Sequence, residues 1–143
     1  MTDRNTVNSF GSISDRELVR ELGLAIADLL WTSEAEYPFE IVYWQDADRL
    51  NEVTLLQHFN YAPQTKIGTQ DIKTFFAATT TEKEWHDEVE RIEVKRYQKL
   101  VNLLSNYLTN VRVYSIGEVE IDVYILGETE RAIVGLMTKA IAT

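Results

Sequence analysis

The chain has 143 residues, 45% of them apolar, so it holds one ordinary domain with its own core and has no room for two. Its 23 acidic side chains outnumber 14 basic ones, a formal charge of −9 that works against nucleic acid or an anionic membrane as a direct partner and favours a basic protein. With no cysteine, disulfides, thiolate metal sites and Cys nucleophiles are all excluded.

Residues 1–12 are polar and aperiodic, and they read as a flexible lead-in to a domain over 13–143. They carry no apolar stretch of the secretory kind, and no run approaches the ~18 apolar residues of a membrane span; the expectation is a cytoplasmic protein. Ser14-Asp-Arg-Glu17 is a capping box, and Leu18, Leu22, Ala25, Ile26 and Leu29 recur on one helical face behind it, predicting a helix over 14–31. Pro38 leads into the β-branched and aromatic run Phe39–Trp44, a strand. Leu50, Val53, Leu56 and Phe59 suggest a short helix ended by Pro63. An extended piece follows at 64–67, with Gly68 as punctuation and Thr69 as the cap of a short helix carrying Ile72, Phe75 and Phe76.

Thr81-Glu-Lys-Glu84 reads as a second capping box opening the longest helix, 81–108, with Thr109-Asn110 closing it. Its apolar stripe is Trp85, Val89, Ile92, Tyr97, Leu100, Val101, Leu104 and Leu108. Acids crowd the first turns and bases follow, an order that suits the helix macrodipole. Strands are predicted at 111–116, 119–127 and 133–141, the second with one apolar and one mostly polar face. The order of elements implies an α/β layered domain with a largely antiparallel sheet.

Catalytic patterns are sparse. His58 and His86 lack any metal-ligand spacing and read as surface residues, and no phosphate-binding glycine loop occurs; no cofactor is expected. Glu118, Glu120 and Asp122 share a strand face, where they could hold a divalent metal or do acid–base work, or simply form the solvated side of the sheet. Ser33–Glu40 reads as a stiff, acidic helix-to-strand connection presenting Glu34 and Glu36, held extended by Pro38. Trp31 and Trp44 are expected in the core, whereas Trp85, set among five acids, fits either a core anchor or an exposed interface anchor.

These landmarks together carry a resemblance. Ser33–Trp44 (SEAEYPFEIVYW) resembles the SExEYPFE segment of the cyanobacterial nuclease A inhibitor family. Tyr97–Leu100 (YQKL), Gly117–Tyr124 (GEVEIDVY), Gly127-Glu128-Thr129 and the terminal Thr138-Lys139…Thr143 are similar to that family in the same order, and Thr79–Trp85 is similar to its TTPxDW region. The similarity spans about 14–143; it is weakest over 46–67 and just after Gly127.

The resemblance implies a three-layer α-β-α sandwich like the pathogenesis-related-protein fold. It also implies a non-enzymatic inhibitor that plugs the metal-containing active site of a sugar-nonspecific DNA/RNA endonuclease. By position Glu34 matches the family's active-site-directed glutamate, Trp85 its interface tryptophan, and Thr143 the terminal threonine whose α-carboxylate reaches toward the enzyme's metal. Glu36 and Asp87 are candidate additional contacts, and a monomer acting one to one is the simplest form. Two other readings stay open: a metal-dependent hydrolase built on Glu118, Glu120 and Asp122, and a binder of some other basic protein.

Overall fold

Ser14 opens the first helix, α1 (Asp15–Ile26), with its side chain accepting from the Glu17 amide and Glu17 reaching back to the Ser14 amide. The structure, a computed structural model, describes residues 13–45, 47 and 49–142, so the expected lead-in over 1–12 and the matched Thr143 lie outside the described residues. α1 stops short of the predicted 31 because Asp28 turns left-handed (φ 61°) and sends the chain into strand β1 (Leu30–Thr32). No cation lies in the last turn of α1; Arg96 from a distant helix donates to the Ala25 and Ala27 carbonyls instead.

The segment read as a stiff connection is a β-hairpin. β1 pairs antiparallel with β2 (Glu36–Pro38) around the turn Ser33–Ala35, and β3 (Glu40–Gln45) follows at once. Trp31 therefore sits on a strand and not at a helix end, half-buried, stacked on Phe75 at 4.4 Å and edge-on to Phe39, Phe76 and Tyr97. Trp44 is likewise half-buried, stacked on the exposed His58 at 3.7 Å.

α2 (Glu52–His58) is capped by Asn51 and ends before Pro63, where Asn60 adopts φ 64°. β4 is Gly68–Gln70, later than the predicted 64–67, and Asp71 rather than Thr69 caps α3 (Ile72–Phe75). The long helix, α4 (Glu88–Tyr107), begins seven residues later than its sequence suggests. The physical reason is that the Thr81 hydroxyl donates backward to the Ala77 carbonyl, while Asp87 and Glu90 make the true reciprocal box at 2.8 Å in each direction. Thr109 and Asn110 open β5 (Thr109–Ile116) rather than closing the helix, with Asn110 at φ 53° beside a bulge.

β6 (Glu120–Glu128) and β7 (Ala132–Ile141) complete a five-stranded sheet in the order β3-β7-β6-β5-β4, antiparallel at every pairing, as expected. Gly117 makes the β5–β6 turn at φ 117°, a left-handed conformation that favours glycine. Val113, Val123, Ile125, Val134 and Leu136 face a core filled by α1, α3 and α4. Tyr114, Ile116, Tyr124, Leu126 and Ile133 form a second cluster with Leu55 and Leu56 of α2. The supposedly polar face of β6 is thus apolar over half its length, because α2 covers it. The result, among the described residues, is a mixed α/β domain of four helices and a five-stranded antiparallel sheet, with an apolar cluster against each sheet face.

Candidate functional site

The hairpin tip is a hydrogen-bonded turn that exposes Glu34. The Ser33 amide donates to the Ala35 carbonyl at 2.8 Å, and its hydroxyl donates to the same oxygen at 3.2 Å, closing a tight turn under Glu34. That turn is stitched to the end of β7. The Ser33 Oγ accepts from the Ile141 amide at 2.9 Å, and the Glu34 amide donates to the Ile141 carbonyl at 3.3 Å. Three residues further back along β7, the buried Thr138 hydroxyl donates to the Pro38 carbonyl at 2.9 Å. Glu34 is exposed, and its carboxylate meets no protein partner among the described residues. Its backbone is bonded to Ile141, which stands two positions before Thr143 in the sequence. On the far side, the Ala142 amide donates to the Val119 carbonyl at 2.9 Å.

Glu36 is used differently. It faces Thr32 across the hairpin, and its Oε2 accepts from the Thr32 hydroxyl at 3.3 Å. Asp87 is spent in the same sense, its carboxylate capping α4.

Trp85 lies just ahead of the long helix. α4 passes Leu108 against Gly127, where β6 turns toward Ala132, and its Tyr97 hydroxyl donates to the Leu30 carbonyl on the hairpin. From Tyr97 back to Glu88 the helix rises a further ~13 Å, in the direction in which β7 runs out to Ile141. Trp85, in the turn just ahead of α4, is 76% exposed, which decides between the two open readings: it is no core anchor. A turn holds it in place. The Lys83 amide donates to His86 Nδ1 at 3.0 Å and the His86 amide donates to the Lys83 carbonyl at 3.1 Å, so His86 is half-buried and structural. Glu82 and Arg91 pair at 3.1 Å across the start of the helix.

The carboxylate row on β6 separates. Glu118 and Glu120 are exposed, whereas Asp122 accepts from the Tyr61 hydroxyl at 2.6 Å and lies 3.7 Å from Lys139 Nζ on the facing strand. Tyr61 also shares a 2.9 Å hydrogen bond with Tyr124, and burial together with Asp122 pushes the Tyr61 phenol far above its ordinary range. Both Asp122 oxygens are engaged, and no group of three or more His, Asp or Glu side chains is arranged to hold a metal among the described residues. An open depression of about 530 Å³ between α3 and α4 has Lys73 as its single ionisable side chain, so it offers no acid–base pair. No described helix is long and apolar enough to cross a membrane.

The remaining motif residues serve the fold. Tyr97 and Leu100 are buried, the Glu128 carboxylate accepts from the Leu50 amide at 2.7 Å, and the Thr129 hydroxyl accepts from the Ala132 amide at 3.0 Å in the β6–β7 turn. Sequence reasoning missed the stitching role of Ser33 and Thr138 and the exposure of Val89 and Ile92. Ser33 and Thr138 both sit inside conspicuous motifs, the one signal that could have raised them.

A family model described as nuclease A inhibitor-like protein matches residues 16–143. No curated protein matches the chain.

Proposed function

The chain belongs to the nuclease A inhibitor-like family, and from that membership we propose that it is a proteinaceous, non-catalytic inhibitor of a sugar-nonspecific DNA/RNA endonuclease. In this reading Glu34 and the α-carboxylate of Thr143 enter the enzyme's active site while Trp85 packs at its rim. Such an enzyme must attract phosphates with Arg or Lys and hold a hard divalent cation through oxygen ligands. Carboxylates are the protein groups able to replace phosphate at both. The single observation that carries the proposal is the hairpin tip, which holds the Glu34 carboxylate, without a partner among the described residues, on a backbone bonded to Ile141, two residues from Thr143 in the sequence. A loop ordered before binding loses little entropy on docking.

The finer features belong to the same proposal: a three-layer sandwich of the pathogenesis-related-protein kind, supported by the apolar clusters on both sheet faces, acting in the cytoplasm as a monomer on one enzyme molecule without a cofactor. The excess of acids would speed the encounter by steering. The test is titration into the sugar-nonspecific endonuclease of the same organism, following DNA cleavage at several salt concentrations. Stoichiometric inhibition that weakens as salt rises is expected; full cleavage at a large molar excess of inhibitor would sink the proposal and leave the other basic partner as the better reading.

A further inference from the structure

α4 leaves the body of the domain over its first turns. Every residue from Asp87 to Glu93 is exposed, and burial begins only at Val94. Three side chains at this projecting end are large and apolar: Trp85, Val89 at 74% exposure and Ile92 at 54%. Val89 and Ile92 are three apart and neighbours on one helix face, and Trp85 stands four before Val89 in the turn locked by His86. The fold does not need them, since the core contacts of α4 are made by Val94, Tyr97, Leu100 and Leu104. A lone exposed apolar residue is ordinary, but several together on a rigid projection are the mark of an interface centre.

The surrounding charge says what would cover the ridge. Residues 82–90 hold five acids and one base. A second copy would set that acidic patch against itself, and an anionic membrane would be repelled. Arg and Lys side chains suit it best, because each carries an apolar stem beneath a cation. We propose that Trp85, Val89 and Ile92 form an apolar ridge that docks on the stems of Arg and Lys side chains lining the rim of the nuclease's polyanion-binding cleft. This rests on the inhibitor reading and enlarges it from a carboxylate plug to a plug with an apolar shoulder. The carboxylates around the ridge meet the same cations at their heads.

The experiment compares wild type, the double variant Val89→Ser/Ile92→Ser and the control Val53→Ser on the opposite side of the sheet, against the purified sugar-nonspecific endonuclease of the same organism. Inhibition constants and dissociation rates are measured at low and moderate salt, with sedimentation of each free protein. All three positions are well exposed, so thermal unfolding should be nearly unchanged. The double variant should bind about tenfold to a hundredfold more weakly, mainly through faster dissociation and with an unaltered salt dependence, while Val53→Ser matches wild type. Equal inhibition by the double variant and wild type overturns the ridge and leaves the inhibitor reading intact. So does a wild-type dimer that the double variant converts to monomer. Absence of inhibition by wild type itself overturns the inhibitor reading and the ridge with it, an outcome visible before any variant is made.

Discussion

Replacing Ser33 with alanine tests whether the hairpin tip is held ready for binding. The substitution deletes an oxygen that accepts from the Ile141 amide at 2.9 Å and donates to the Ala35 carbonyl at 3.2 Å. The backbone bond from Ser33 to Ala35 survives, so the turn itself should persist. What is lost is the stitch to β7, leaving a half-buried amide without its acceptor. Orphaning such a donor costs about 1–2 kcal/mol. In a chain of this size that lowers the melting temperature by roughly 3–6 °C. The Glu34-to-Ile141 bond, at 3.3 Å the longer of the two, should weaken with it. The ordering cost then falls on the binding step, so inhibition should weaken by about tenfold even though Glu34 is untouched. The assay is amide hydrogen exchange at Glu34 and Ile141 in the free protein, alongside inhibition titration. Unchanged exchange at Ile141 with unchanged inhibition would refute the reasoning that this bond preorganises the tip.

Other outcomes follow from single contacts. Arg96→Met keeps the aliphatic stem but deprives the Ala25 and Ala27 carbonyls of their donor, and should cost about 1.5–3 kcal/mol in denaturant unfolding with inhibition by the folded fraction preserved. Gly135→Ala would set a Cβ 1.9 Å from the Ile125 carbonyl oxygen in the middle of the sheet, and should prevent soluble expression of a folded protein. Burial raises the phenols of Tyr61, Tyr97, Tyr114 and Tyr124 above their ordinary value of 10.0. Below that pH both states are protonated and the stabilisation is complete; above it the unfolded chain ionises first, so stability should fall as alkalinity increases. Ultraviolet titration should show these phenols ionising together with loss of the circular dichroism signal, not before it.

Much of the frame was legible in the sequence because it rests on local rules. Ser14 and Glu17 announce α1, and the β-branched runs announce the four longer strands of the sheet. The misplacements share one cause: competition between equivalent local signals that only tertiary contacts resolve. Thr81 and Asp87 both begin plausible capping boxes, and the chain uses Asp87 because the Thr81 hydroxyl is taken by the preceding turn. Val89 and Ile92 continue the apolar period of α4, yet the helix runs past its supporting layer before reaching them. The hairpin was hidden because its strands have three residues each, too few for any alternation to register. At the site, the pattern of Ser33–Glu40 predicted a stiff acidic connection held by Pro38; the structure makes it a hairpin tied to the last strand through Ser33 and Thr138. Those contacts join residues about a hundred positions apart, which no local reading supplies.

The charge of −9, at first only a reason to set aside nucleic acid and membrane, becomes interpretable once placed on the fold. Part of it caps helices or pairs across the sheet, as Asp87 and Asp122 do, and part stands at the hairpin tip without a partner among the described residues. The most direct test is a paired titration of wild type and Glu34→Gln into the same sugar-nonspecific endonuclease, with thermal unfolding as the folding control. Wild type should reach full inhibition near equimolar ratio, and Glu34→Gln, unchanged in stability, should be weaker by about 30-fold or more, since removing one partner of a desolvated charge pair costs at least ~2 kcal/mol. Equal potency of the two proteins would contradict the placement of Glu34 in the enzyme's active site.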